Sequence, residues 1–240
     1  MKKEKVSIII PAFNEKKRIS SVLDVAIKAR KKIEEIIEVI VVDDGSNDNT
    51  REEAKEKDIN KLIVHKENKG KGEALKSGIK KAEGDILFFL DADLINFKLD
   101  HIKKVLEPIL SKDYIMVNGV LDRGKQFTDI TGENDFTNKL APLINNYNSS
   151  YIGSQITGIR TITREVWNKT PNVRKFYIDK ALYETAKKID KNKIKNVVLF
   201  NVLQHSKPQK RGPKGHLARF KMWGEIAFES IRYKIKNLID

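Results

Sequence analysis

The chain has 240 residues, 40% hydrophobic and 33% charged, which is enough apolar material for one sizeable core and too much for a disordered chain. Its 47 Lys and Arg against 33 Asp and Glu leave a net charge of +14, implying an anionic partner: a phosphorylated ligand, a nucleic acid or a membrane surface. There is no cysteine, which excludes disulfides, thiolate metal sites and cysteine nucleophiles, and no apolar run approaches the roughly 18 residues of a membrane span.

In chain order, a β-branched run predicts a strand over 6–10, stopped by Pro11. The basic start lacks a long apolar region and a cleavage site, so no secretory signal is expected and the chain reads as cytoplasmic. A helix is expected over 16–32, with Ile19, Val22, Leu23, Ala26 and Ile27 on one face. Residues 38–43 contain VIVVD, typical of a strand buried on both sides. Residues 45–48 read as a turn and helix N-cap, followed by a polar helix to 57. A strand over 62–65, a helix over 73–82 and a strand over 85–90 follow. This alternation predicts an α/β fold, a mostly parallel central sheet with helices on both faces.

Beyond Asp93 the pattern predicts a helix over 98–110 and a strand over 114–120. The polar, glycine-bearing segment 121–135 reads as a functional loop. Then come a helix over 136–147, strands over 156–163 and 195–202, and a helix over 178–188 between them. Pro208, Gly212, Pro213 and Gly215 predict a mobile loop over 206–215, and a last helix runs over 216–238. With no internal repeat and no linker, a single domain spans 1–240, with halves 1–95 and 96–240.

Ligands of parallel α/β sheets bind beyond the carboxyl ends of the strands. Three polar clusters fall there: Asn14-Glu15, Asp43-Asp44 and Asp91-Ala92-Asp93. Each follows a hydrophobic run, a poor place for a merely solvated charge. Gathered carboxylates repel unless a cation or hydrogen-bond donors offset them. Asp-x-Asp at a strand end suits Mg²⁺ or Mn²⁺ sharing its shell with phosphate oxygens.

The segments VSIIIPAFNE at 6–15, VVDDGSNDNT at 41–50 and KGKGEALKSGIKKAEGDILFFLDADL at 69–94 resemble the nucleotide-sugar half of glycosyltransferase family 2, with the GT-A fold. The resemblance implies a nucleoside-diphosphate-sugar donor, UDP- or GDP-linked, and a divalent metal. By position, Pro11, Ala12, Phe13 and Glu15 would line the nucleoside, and Asp43, with Asp44 beside it, would take the base or ribose. Asp91, Ala92 and Asp93 would form the motif that meets metal and donor, with Asp91 and Asp93 as ligands and Asp93 in the catalytic set.

GKGEAL at 70–75, DADL at 91–94, TNKLAPLI at 137–144 and VLQHSK at 202–207 are similar to glucosyl-3-phosphoglycerate synthases. That similarity implies a donor contact by Lys71, a metal-shell role for His205 and an acceptor-side position for Thr137. The Arg of those enzymes' acceptor stretch is missing here, and Arg123 and Lys125 are the substitutes for binding an anionic acceptor. The first half fits polyprenyl-phosphate sugar synthases equally well. Thr157-Gly158-Ile159-Arg160 resembles their acceptor segment, which makes Gly158 and Arg160 acceptor candidates, the alternative being a surface arginine at a strand edge. Asp179 reads as a catalytic base or acceptor ligand, or as the N-cap of the next helix. The two resemblances differ on inversion against retention at the anomeric carbon.

Nine Lys and Arg and no acid fall within 191–221. Lys210 and Arg211, in the loop 206–215, would neutralise the diphosphate leaving group and close the site against water. The last helix carries Leu217, Phe220, Trp223, Ala227, Ile231 and Leu238 at helical spacing. It is expected to dock on its own domain; the alternative is peripheral contact with the inner membrane face, bringing a lipid-linked acceptor rather than a small one. A homodimer is compatible with the chain. The rival class is a basic nucleic-acid-binding protein, but the aromatics are not interleaved with the cations as a stacking platform needs, so no specific nucleic acid is expected.

Overall fold

The computed structural model describes residues 3–121, 158–172, 177–204 and Gly224. The elements are β1 (Val6–Ala12), α1 (Ile19–Lys32), β2 (Ile36–Asp43), α2 (Thr50–Lys55), β3 (Lys61–Val64), α3 (Lys71–Lys81) and β4 (Ile86–Phe89). They continue with β5 (Leu94–Ile95), α4 (Leu99–Leu110), β6 (Met116–Leu121), β7 (Ile159–Thr163), α5 (Arg164–Lys169) and α6 (Tyr177–Asp190). A 3₁₀ turn (Lys191–Lys193), β8 (Ile194–Leu199) and β9 (Leu203–Gln204) follow.

Seven strands form one sheet in the order β3-β2-β1-β4-β7-β6-β8, and β5 and β9 pair separately. The β1–β2, β1–β4, β2–β3 and β6–β8 ladders are parallel; β7 alone is antiparallel to both its neighbours. The sheet is thus α/β and mostly parallel, as the alternation predicts. The expected loop 121–135 and helix 136–147, the loop 206–215 and the last helix lie outside the described residues.

Strand alternation sends neighbouring side chains to opposite faces. Ile8 and Ile10 of β1 join Val39 and Val41 of β2 against α1 and α4. Ile9, Ile40 and Val42 join Leu87 and Phe89 against α3 and α6. Burial on both faces explains the unbroken apolar runs of β1, β2 and β4. Helix α3 comes very close to the sheet at Gly78, where a Cβ would stand 2.5 Å from Ile9 Cγ2.

The expected strand over 195–202 is two. β8 ends at Leu199, Asn201 takes φ 61°, and β9 turns away to pair with β5. Asparagine tolerates this left-handed conformation better than most residues. The short elements β5 and α5 carry no periodic signal and were not expected. Among the described residues, no helix is long and apolar enough to cross a membrane.

Candidate active site

β2, β1 and β4 lie side by side and end at one edge. Ala12 pairs with Asp43 and Ile9 with Phe89, and two backbone bonds extend the ladders: Asp44 N–H to Ala12 O at 2.8 Å and Leu90 N–H to Ile9 O at 3.1 Å. The edge therefore gathers residues 11–15, Asp43-Asp44 and Asp91–Asp93. Strand order reverses at β1, with β2 on one side and β4 on the other, the crevice where open α/β sheets take ligands.

The β1 and β2 loops are laced together. Asn14, at φ 58°, donates its N–H to Ser46 Oγ at 3.0 Å and accepts from Asn47 N–H at 2.8 Å. Glu15 N–H donates to Thr50 Oγ1 at 2.7 Å. Pro11 and Phe13 are half-buried, and Ala12 is buried. Asp43 is fully buried and accepts from Ser46 N–H at 3.1 Å and Arg51 Nε at 3.0 Å.

Asp44, expected on the donor, is turned inward. One oxygen meets His65 Nδ1 at 2.6 Å and Lys69 N–H at 3.0 Å; the other accepts from Asn68 Nδ2 at 3.0 Å and Gly70 N–H at 2.8 Å. A carboxylate offers about four acceptor positions, so nothing remains for a donor. His65 Nε2 meets Ser77 Oγ at 2.8 Å. Asp44 and His65 thus tie the loop 65–70 to α3 and set where that helix starts. Gly70, at φ 92°, supplies the turn that brings Lys71 in.

Lys71 points from the first position of α3 into a cluster of opposite charges. Its Nζ lies 3.1 Å from Asp91 Oδ1 and 3.3 Å from Asp179 Oδ2. Burial works against the ammonium, but Asp179 and Asp91 outweigh it and hold Lys71 well above the ordinary lysine value. Asp179 sits in the first turn of α6, 2% exposed, not at an N-cap.

Arg160, on β7, is 0% exposed, which excludes the surface-arginine alternative. Its Nη1 donates to Asp179 O at 2.7 Å and lies 3.7 Å from Asp179 Oδ1; its Nε donates to Asn118 Oδ1 at 2.7 Å. Burial pulls the guanidinium below its ordinary value, opposed chiefly by Asp179. As placed, Arg160 supports Asp179. Gly158 lies against Asp91; a Cβ there would stand 1.6 Å from Asp91 Oδ2, so only glycine fits.

Gln204 was not foreseen as a site residue. Its Nε2 donates to Asp91 Oδ2 at 2.8 Å and to Asp93 Oδ1 at 2.7 Å. Asp93 and Ala92 are buried, and Asp91 is partly open. Two carboxylates that reach one amide can also reach one cation, and their hard oxygens fit Mg²⁺ or Mn²⁺. Among the described residues no cluster of three His, Cys, Asp or Glu suits a metal; two carboxylates suffice for a cation that keeps waters and phosphate oxygens. Arg123, Thr137, His205, Lys210 and Arg211 lie outside the described residues.

The fold matches glucosyl-3-phosphoglycerate synthase from Mycobacterium tuberculosis. The complex with Mn²⁺, UDP and phosphoglyceric acid aligns at TM-score 0.70 and 22% identity, covering 95% of this chain and 76% of that one. The complex with Mg²⁺ and UDP aligns at 0.67 and 21%, covering 90% and 79%. In sequence, 97 residues are 40% identical to undecaprenyl-phosphate 4-deoxy-4-formamido-L-arabinose transferase of Proteus mirabilis, and 127 residues are 34% identical to dolichyl-phosphate beta-glucosyltransferase of Dictyostelium discoideum. These matches cover 38% and 48% of this chain but only 30% and 39% of those proteins. Residues 7–171, from β1 through α5, match the description Glycosyl transferase family 2. The carboxylate edge beyond β1, β2 and β4 and the mostly parallel sheet beneath it thus lie within a match spanning well over half the chain: it belongs to glycosyltransferase family 2.

Proposed function

We propose that this glycosyltransferase is metal-dependent and moves a hexose from a UDP- or GDP-linked donor to a phosphorylated acceptor. The observation that carries the reading is the convergence of Asp91, Asp93 and Lys71 at the reversal point of the sheet. Asp91 and Asp93 would hold Mg²⁺ or Mn²⁺, as the Mycobacterium tuberculosis enzyme is described with either ion and UDP. When bound there, the cation supplies Lewis-acid stabilisation of the departing nucleoside diphosphate.

The remaining work falls to the chain's own side chains. Asp43 accepts hydrogen bonds from the base or ribose, while Pro11, Ala12, Phe13 and Glu15 line the nucleoside. Lys71 brings a positive charge to the diphosphate side of Asp91, and Asp179, itself held by Arg160, keeps it there. Lys210 and Arg211 add cations that close over the donor and exclude water. A phosphate acceptor attacks the anomeric carbon without needing a base; a hydroxyl acceptor would need one.

Two phosphorylated acceptors stand out. Phosphoglycerate is suggested by the structural relative. A polyprenyl phosphate is suggested by the sequence relatives and by exposed apolar side chains in 198–203: Val198, Phe200 and Leu203 are exposed, Phe200 by 57%. Leu203 adjoins Gln204, so a lipid tail resting on Leu203 would bring its phosphate near Asp91 and Asp93. Peripheral membrane contact belongs to that second acceptor.

The test is a panel of nucleotide sugars with Mg²⁺ or Mn²⁺, scored for release of the nucleoside diphosphate. A UDP- or GDP-hexose should be hydrolysed slowly without acceptor, and faster with phosphoglycerate or with a polyprenyl phosphate in detergent. No release from any donor with either metal would overturn the reading.

A further inference from the structure

Gln204 closes β9, whose pairing with β5 sets it opposite Leu94, the residue after Asp93. Its amide nitrogen has two hydrogens, and each is aimed at a different carboxylate, at 2.8 and 2.7 Å. This offsets the repulsion between Asp91 and Asp93, but an amide nitrogen offers no lone pair to a cation. The spacing says more. Around an octahedral cation with bonds of about 2.1 Å, neighbouring ligand atoms stand about 3 Å apart. The amide end of Gln204 therefore lies at the spacing of a fellow ligand from both carboxylate oxygens. Rotation about its last torsion, which is broad and two-fold, exchanges Nε2 and Oε1 in place. The carbonyl oxygen so presented is a hard donor of the kind Mg²⁺ and Mn²⁺ take.

We propose that Gln204 is a ligand of the divalent cation. Its amide donates to Asp91 and Asp93 while the pair is metal-free, and turns to present Oε1 when the cation is bound. The inference rests on the metal-dependent reading above and adds to it a ligand of the chain's own.

The experiment is a Mn²⁺ titration of the chelator-stripped protein, without nucleotide, with free Mn²⁺ read by electron paramagnetic resonance. The parent, Gln204→Leu, Gln204→Glu and Asp93→Asn are compared. Gln204→Leu should lose roughly 10- to 100-fold in affinity, the loss typical of changes around metal sites. Gln204→Glu should bind at least as tightly as the parent, because it supplies an oxygen and a further charge. A leucine variant that equals or exceeds the parent would show that the amide only competes with the cation, and would overturn the proposal. So would a glutamate variant that binds more weakly than the parent, a result that does not depend on how well the leucine variant folds. If the parent binds no Mn²⁺, or Asp93→Asn binds as well as the parent, the metal-dependent reading itself falls and Gln204 with it.

Discussion

Asp179 was a candidate base, yet its carboxylate is engaged by two cations from different elements, Lys71 of α3 and Arg160 of β7. These contacts place it to fix the Lys71 ammonium beside Asp91, a positioning role that a variant can separate from that of a base. Asp179→Asn leaves the buried Arg160 without its full counter-charge, so stability should fall by about 3 kcal/mol, as when one partner of a buried pair is removed. Turnover should fall and the donor KM should rise, while the acidic limb of the pH–rate profile keeps its shape. Loss of that limb in the variant would return Asp179 to the role of base. The carboxylates Asp43, Asp91 and Asp93 were legible in the sequence because each ends an apolar run, where a charge needs a reason. The Lys71–Asp179 pair was not, because it joins residues 108 positions apart through the fold, 179 − 71. Gln204 was not either: an amide in a two-residue strand has no spacing signature, and its place beside Asp91 and Asp93 appears only when β9 pairs with β5.

Among the elements, Glu38 is a buried joint between strands. From β2 it accepts from Ser7 Oγ of β1 at 2.6 Å, from Lys61 Nζ of β3 at 2.7 Å and from Glu83 N–H, ahead of β4, at 2.6 Å. Ser7 Oγ in turn accepts from Gly84 N–H at 2.8 Å. Burial raises the Glu38 carboxyl, but Lys61, Ser7 and Glu83 N–H outweigh it, leaving it below its ordinary value of 4.5. The unfolded chain therefore binds this proton more readily than the folded one. The stabilisation is fully present above about pH 4.5 and is lost as pH falls through the lower folded value. Glu38→Gln should cost about 2 kcal/mol at pH 7, the scale of hydrogen bonds to a charged group, and the gap to the parent should narrow in acid. Urea unfolding at pH 7 and pH 3 measures this; a gap that stays constant would remove the ionised carboxylate as its cause. The long buried strands β1, β2 and β4 were legible because burial on both faces demands unbroken apolar runs. β5 and β9 are two residues each and exist only as each other's partner, so local pattern could not show them. The antiparallel direction of β7 is likewise set by what it pairs with, not by its own residues.

At the scale of the whole molecule, a +14 chain gathers Asp43, Asp91 and Asp93 on one edge of the sheet. Bare, that edge repels phosphate, and Lys71 is already held by Asp91 and Asp179. A nucleoside diphosphate should therefore bind well only after a cation has reversed the sign of the Asp91–Asp93 edge. In a thermal melt with Mn²⁺, UDP or GDP at about 100 times its dissociation constant should add about 2.7 kcal/mol. For a chain of this length that is a rise of roughly 5–10 °C. With excess chelator in place of Mn²⁺ the rise should vanish, and Mn²⁺ alone should give a smaller one. Equal stabilisation under chelator would place the nucleotide on fixed cations and separate it from the carboxylate edge. Duplex DNA supplies the control for charge alone: its binding should fade as salt approaches physiological strength, because it rests on counterion release. A rise with DNA that survives such salt, beside none with either nucleotide, would move the basic charge from donor recognition to nucleic-acid binding.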